Sequence, residues 1–141
     1  MVGQLFLRFS AIWGNKWNSQ FTDAAIVPII ESEWANGLAG ISTESIRRGI
    51  NASRDSLEWP PSIAEFKRIC LGIPDKQSVI AMVVKGGGDA LSDKIVGMIG
   101  SYEVRTRPFD WVLRQAENNF NIALAEITEN EIKTQFKAIP E

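Results

Sequence analysis

Apolar residues recur at intervals of three and four in the first part of the chain, which is the spacing of one face of an α-helix. The first run consists of Leu5, Phe6, Phe9, Ile12 and Trp13. Gly14-Asn15 follows it, and such a pair commonly ends a helix. The pattern therefore predicts a first helix that ends near residue 14.

A second helix is predicted after Thr22-Asp23, which can cap its N-terminus. It carries Ile26, Ile29, Ile30 and Trp34. Pro28 cannot donate a backbone hydrogen bond, so the helix either kinks there or begins near Pro28. It should end at Asn36-Gly37, and a third helix is predicted over residues 42–57.

The best-specified helix start in the sequence is Ser62. Ser62 and Glu65 form a Ser-x-x-Glu capping box, and Pro61 with Phe66 is placed to act as a hydrophobic staple. This predicts a fourth helix that buries Ile63, Phe66, Ile69 and Cys70. The apolar run 79–84 fits a strand or a helix, since its valines favour a strand locally and its surroundings favour a helix. We predict a helix.

The stretch Lys85-Gly86-Gly87-Gly88-Asp89 is rich in glycine and is predicted to be a hinge. It suggests an N-terminal unit over residues 1–73, a linker region over 74–89 and a C-terminal unit over 90–141. The sequence thus predicts an all-α fold, a compact multi-helix protein of two small helical units joined by a glycine-rich hinge.

Three further helices are predicted in the C-terminal unit. Residues 90–99 form the first, closed by Gly100, and Pro108 opens the longest one. Its apolar stripe consists of Phe109, Val112, Leu113, Ala116, Phe120, Ala123, Leu124 and Ile127. A second capping box, Thr128 to Glu131, starts a last helix with Ile132 and Phe136 on its apolar face.

The composition is that of a globular protein with a slight excess of acid. Fifteen basic and seventeen acidic residues weigh against a protein that coats duplex DNA, which needs clustered cations. The single cysteine, Cys70, cannot form an internal disulfide, and its apolar neighbours predict a buried thiol. The sequence has neither a leader pattern nor a run of about 18 apolar residues. We therefore expect a cytoplasmic protein without a membrane partner.

The chain has no histidine, so it lacks the commonest general base and metal ligand. Gly86-Gly87-Gly88 is followed by Asp89-Ala90-Leu91, whereas a phosphate loop continues with Gly-Lys-Ser or Gly-Lys-Thr. We expect a protein that is not an enzyme, with no catalytic residue, no metal site and no cofactor.

Five basic residues on the third and fourth predicted helices are candidates for contact with single-stranded nucleic acid, namely Arg47, Arg48, Arg54, Lys67 and Arg68. Trp59 or Trp17 could supply the stacking ring that such sites use. The alternative, which we favour, is a solvated helix surface balanced by the acidic residues Glu44, Asp55, Glu58 and Glu65.

A second basic group, Arg105, Arg107 and Arg114, flanks the start of the longest helix, where the helix dipole discourages cations. These residues serve either a partner or solubility. Trp13, Trp34 and Trp111 accompany apolar stripes and are predicted to be core residues. Trp17 and Trp59 lie in connections and are better candidates for exposed anchors.

The order of features from Leu5 to Cys70 resembles the phage replication protein P family, the helicase loaders of lambdoid and related phages. An aromatic helix is followed by Trp34, Gly37-Leu38-Ala39-Gly40 and Ser42-x-Glu44-x-Ile46-x-Arg48-Gly49. The specific part is Trp59-Pro60-Pro61-Ser62-x3-Phe66-x3-Cys70, which is similar to the central signature of the family.

The resemblance implies a non-enzymatic adaptor that binds a DnaB-type replicative helicase and holds the ring in an opened, inactive state at origin DNA. A phage origin-binding protein would be the second partner. Single-stranded DNA is a further candidate partner, which the basic residues on the third and fourth helices suggest. Helices over about residues 108–136 would dock between helicase subunits. The predicted partner contacts are Trp59, Arg105, Arg107, Trp111, Arg114 and Phe136.

Two alternatives from other classes remain open. One is a small single-stranded nucleic-acid binding module that uses the five basic residues on the third and fourth helices. The other is a phage protein that inhibits a different host or defence complex, because a fold does not fix a partner.

Overall fold

The computed structural model describes residues 1–132 and, within them, contains nine α-helices that end by Glu126, the start of a further helix at residues 129–132, one 3₁₀ turn and no β-strand. The predicted all-α fold is therefore confirmed. The chain divides into two compact units, Met1–Leu71 and Gly72–Glu141.

The first unit contains α1 (Val2–Trp13), α2 (Asn15–Asn18), a 3₁₀ turn (Ala24–Ile26), α3 (Val27–Gly37), α4 (Thr43–Ser56) and α5 (Ile63–Cys70). Ser42 and Ser62 cap α4 and α5, and each hydroxyl accepts a 3.1 Å hydrogen bond from the backbone N–H three residues later. Asp23 caps the separate 3₁₀ turn, and Pro28 lies in the first turn of α3. Of the two alternatives at Pro28, the helix that begins near the proline is therefore the observed one.

Phe9 lies at the centre of the aromatic core of the first unit and is 0 % exposed. Its ring packs edge-to-face, with centroid separations from 4.9 to 5.5 Å, on Trp13, Trp17, Trp34 and Phe66. These rings belong to α1, α2, α3 and α5. One side chain thus joins four of the five α-helices in this unit, in the geometry that aromatic rings prefer.

Helices α4 and α5 approach closely because one face of α4 is built from small residues. Ser45, Gly49 and Ser53 are buried on that face at intervals of four. A Cβ added to Gly49 would come within 2.3 Å of Cys70 Sγ and 3.3 Å of Cys70 Cα. Gly49 therefore permits the contact, and the predicted burial of Cys70 is confirmed.

The second unit contains α6 (Lys76–Val84), α7 (Ala90–Ile99), α8 (Ser101–Thr106) and α9 (Phe109–Glu126). Helices α6 and α7 both pack on α9, which is the central helix of the unit as predicted. The residues that α9 buries are Val112, Ala116, Phe120, Ala123 and Leu124. The helical interpretation of residues 79–84 is confirmed.

The glycine-rich stretch is a tight turn within the second unit, and the division between units lies earlier, after Leu71. The predicted linker region 74–89 contains α6, which packs on α7 and α9. Gly86 and Gly87 have φ of 106° and 111°, values that glycine adopts readily. Glycines of this kind suit a hinge and a tight helix–helix turn equally, so composition alone did not separate the two.

The last predicted helix begins after Thr128, as the second capping box indicates. The backbone N–H of Glu131 donates to Thr128 Oγ1 at 3.2 Å, and residues 129–132 are helical. Phe136, which the sequence assigns to the apolar face of this helix, lies outside the described residues.

Replacing Phe9 with alanine should lower the free energy of unfolding of the first unit by about 3–5 kcal/mol, the usual cost of removing a buried aromatic ring. Leu7→Ala is the matched control in the same helix, because Leu7 is exposed, and its cost should stay within about 0.5 kcal/mol. Urea unfolding followed by tryptophan fluorescence measures both. Equal losses for the two variants would contradict the central role of Phe9.

Gly49→Ala should destabilise the first unit by about 1–3 kcal/mol, because the added methyl group must displace Cys70. Gly3→Ala is the control, since a Cβ at Gly3 meets no atom within 4 Å, and it should stabilise α1 by up to about 1 kcal/mol. In the Gly49→Ala/Cys70→Ala double variant the sulfur no longer opposes the methyl group. Its loss should be smaller than the sum of the single losses. Strictly additive losses in urea titrations would rule out this contact as the cause.

Candidate functional site: two exposed surfaces

Six residues over α8 and the start of α9 form what we call the arginine–aromatic surface. They are Tyr102, Arg105, Arg107, Phe109, Trp111 and Arg114. Trp111 is half-buried and the other five are exposed. Tyr102 is 65 % exposed and Phe109 is 60 % exposed, values that are high for aromatic residues. The four predicted contacts Arg105, Arg107, Trp111 and Arg114 thus lie together in one short part of the second unit.

Helix spacing and one direct contact order the residues on this surface. Tyr102 and Arg105 are three apart on α8, so they share a face of that helix. Arg107 lies in the connection to α9, with its guanidinium carbon 5.3 Å from the centre of the Trp111 ring. This is a cation–π distance. Arg114 is three residues after Trp111 and so continues the same face of α9.

Phe109 departs from the sequence prediction, which placed it on the buried stripe of the longest helix. It is in phase with the buried residues Val112 and Ala116 but is the first residue of α9, where it stays exposed. Periodicity predicts which face of a helix is apolar, not how far along the helix its packing partners extend. Its exposed ring adds an aromatic side chain to the start of α9.

The three arginines of the surface make no ion pair with a carboxylate of residues 1–132. Their relation to the helix dipoles differs from the prediction. Arg105 lies in the last turn of α8, where a cation is favourable, and only Arg107 directly precedes the start of α9. The cation–π contact with Trp111 helps to hold Arg107 at that unfavourable position.

The two carboxylates within the same stretch have local structural roles. Glu103 lies in the first turn of α8, and its Oε2 would be 2.9 Å from a Cβ added at Gly100. Asp110 lies in the first turn of α9. Negative charge at these positions complements a helix dipole. Arg105 complements the C-terminal end of α8 in the same way, whereas Arg114 lies away from the ends of α9.

The basic candidates on α4 are exposed, but each has a neighbouring acceptor. Arg47 forms an ion pair with Glu44, Arg48 donates to a serine hydroxyl, and Arg54 pairs with Asp55 at 3.0 Å. The hydrogen bond from Arg54 to Asp55 and the charge of that carboxylate raise the pKa of Arg54 above its ordinary value. This arrangement is closer to the solvated, charge-balanced helix surface that the sequence analysis favoured.

The candidates on α5 do not extend these residues into one basic edge. Lys67 is buried, with 8 % of its surface exposed, and Arg68 is only half-exposed. Lys67 falls on the same side of α5 as the buried Cys70 because it lies three residues before it. Its assignment to an exposed nucleic-acid surface was therefore wrong.

The structure separates the two tryptophans that were predicted to be exposed anchors. Trp59 is 63 % exposed, whereas Trp17 is 2 % exposed and packs in the aromatic core. The prediction for Trp17 failed because α2 is only four residues long and shows no periodicity. Trp13 and Trp34 are buried as predicted, and Trp111 is half-buried.

Sequence reasoning missed Lys16, which holds the exposed indole in place. Lys16 Nζ lies 4.6 Å above the centre of the Trp59 ring and donates to the Glu58 carbonyl at 3.2 Å. An adjoining cleft of about 490 Å³ is lined by Ala11, Ile12, Trp13, Lys16, Arg54, Leu57 and Glu58. No sequence signal pairs Lys16 with Trp59, because they lie far apart in the chain.

No group of three or more His, Cys, Asp or Glu side chains within residues 1–132 is placed to hold a metal ion. No helix in this described part has the length and apolar character needed to cross a membrane. Comparison with known proteins adds no assignment, since no family model, curated protein or solved structure matches the chain.

Acrylamide quenching should distinguish the two tryptophans. Trp59→Phe should remove most of the readily quenched fluorescence, because the exposed indole is then absent. Trp17→Phe should instead raise the quenchable share of the remaining signal, because it removes a buried emitter. A fall in quenching on substitution of Trp17 would show that its ring is accessible.

Proposed function

We propose that this chain is a non-enzymatic phage replication adaptor that binds a DnaB-type replicative helicase in the cytoplasm of a bacterial host. In this proposal it holds the helicase ring in an opened, inactive state and delivers it to origin DNA. The observation that carries the proposal is the arginine–aromatic surface of the second unit. The resemblance of residues 5–70 to the phage replication protein P family supports it from the first unit.

The composition of this surface favours a protein partner. Tryptophan, tyrosine and arginine are the residues most enriched where binding energy concentrates in protein interfaces. Here Tyr102, Phe109 and the Arg107–Trp111 pair bring such side chains together on helices. A helical surface of this kind suits docking of one helix against another. The second unit is therefore where we place the principal helicase contact.

Loading by differential binding explains how such a protein could act without an active site. A ligand shifts a two-state equilibrium only by the difference between its affinities for the two states. Moving a ring from about 1 % open to about 99 % open requires about 5.5 kcal/mol of that difference. Two or three well-buried anchors, at about 2 kcal/mol or more each, can supply it when they contact only the open ring. Tyr102, Phe109 and Trp111 are our candidates for these anchors.

A single-stranded nucleic-acid module is the second candidate, and one observation favours it. The exposed indole of Trp59 is held by Lys16, which lines the same cleft as Arg54. An aromatic ring beside cations can stack a base and contact a phosphate. The burial of Lys67 and the Arg47–Glu44 ion pair weigh against a large site of this type.

Contact with origin DNA and with an origin-binding protein is part of the adaptor proposal.

Mixing the purified chain with a DnaB-type hexamer tests the proposal. Native mass spectrometry should detect a complex at micromolar concentration, and the ATPase rate of the helicase should change on binding. Absence of any complex at that concentration would overturn the adaptor assignment. A pull-down from host lysate would then identify whether another host or defence complex is the partner.

Phe109→Ala should weaken helicase binding by about tenfold or more, because an exposed aromatic anchor is lost. Ile122→Ala is the matched control, since Ile122 is also exposed on α9 but lies outside the arginine–aromatic surface. Its affinity should remain within about threefold of the original chain. Titration of labelled helicase with each variant gives both values. Equal weakening by the two substitutions would place the contact elsewhere.

A further inference from the structure

The charge of the arginine–aromatic surface indicates the chemistry of the segment that binds to it. Arg105, Arg107 and Arg114 are exposed and make no ion pair with a carboxylate of the described residues. The carboxylates of Glu103 and Asp110 lie at helix starts, where they complement the dipoles. The surface therefore presents three guanidinium groups that are not held in ion pairs within the described residues.

Exposed rings lie in the same stretch of α8 and α9 as these guanidinium groups. Tyr102 and Phe109 are both more than half exposed, and Trp111 is covered on one side by Arg107. Apolar ring area beside cations is complementary to a segment that carries an apolar side chain between carboxylates. Arginine suits this role because its planar fork can bind one carboxylate through two parallel hydrogen bonds.

We propose that the partner docks here through an acidic amphipathic helix, with Asp or Glu residues that flank at least one large apolar side chain. The inference rests on the proposed function, because it takes the helicase as the owner of that helix. It goes further by stating the charge and polarity of the docking segment. Electrostatic attraction would then accelerate association, and binding would weaken as salt rises.

A protein carboxylate fits this surface better than a nucleic-acid phosphate chain. The chain as a whole carries a net charge of −2, so it offers a long polyanion no net electrostatic attraction. Glu103 and Asp110 also lie within the same stretch of α8 and α9. A short acidic helix can place its few carboxylates on the arginines alone, whereas a continuous phosphate backbone would pass the acidic residues as well.

Charge reversal measured against helicase is the first test. Arg105→Glu/Arg114→Glu should weaken binding of the hexamer by about tenfold or more at low salt. Arg105→Lys/Arg114→Lys keeps the charge but loses the planar fork, so its affinity should lie between those of the original chain and the charge-reversed variant. The control is Arg8→Glu/Lys85→Glu, which makes the same change in net charge at two other exposed positions. It should alter affinity by less than about threefold. Circular dichroism confirms that each variant is folded.

A model peptide makes the test independent of the helicase. We would titrate the full chain with a 20-residue Glu/Leu amphipathic helix, with its Gln/Leu analogue, and with oligo-dT of similar length. The Glu/Leu peptide should bind, its affinity should fall as salt rises, and the charge-reversed variant should lose that binding. The Gln/Leu analogue should bind at least about tenfold more weakly.

The outcomes separate the two proposals. If helicase binds with the same affinity before and after charge reversal, the acidic-helix inference fails while the adaptor function stands. If helicase does not bind at all, the adaptor function fails and the peptide titration decides the inference. Failure of the Glu/Leu peptide to bind would then overturn it. Tighter binding of oligo-dT at the same arginines would also overturn it, in favour of nucleic acid.

Discussion

The packing of Phe9 against four other aromatic rings is the interaction on which the first unit depends. Helices as short as α2 and α5 are not stable in isolation, because few hydrogen bonds offset the cost of starting a helix. Trp17 and Phe66 bring these short helices onto the ring of Phe9, so tertiary burial supplies the stability that their length cannot. The exposed Trp59 lies outside this core, in the connection just before α5.

Much of this fold could be predicted from periodicity and capping chemistry. Helices with a long apolar stripe or a clear cap, such as α1, α4, α5 and α9, lie where the sequence indicates. Helices α2 and α8 are too short to show a period, and they were missed. The glycine-rich turn was predicted to be the boundary between the units, but it lies inside the second unit. Glycine indicates that the backbone can adopt unusual conformations, and it does not indicate which helices pack on either side.

Residue type was predicted more successfully than exposure at the candidate surfaces. The arginines near α9 and the tryptophan before α5 were identified because their charge or ring is visible in the sequence. Three other features depend on how separate helices meet. They are the burial of Lys67, the exposure of Phe109 and the position of Lys16 over Trp59. Such contacts between distant residues leave no trace in local spacing. The arginine–aromatic surface therefore contains arginines that the sequence identified. The exposure of its aromatic rings became visible only in the structure.

The stacking of Arg107 on Trp111 has a consequence for how quickly and how tightly this protein can engage a partner. A free arginine side chain samples many rotamers, and fixing it in an interface costs about 0.5–1.5 kcal/mol. Contact with the indole already restricts Arg107 in the unbound protein, so part of that entropy is lost during folding instead of during association. The guanidinium then meets an incoming carboxylate as a preoriented group. Preorientation of Arg107 thus adds to its charge in determining how this surface recognises a partner.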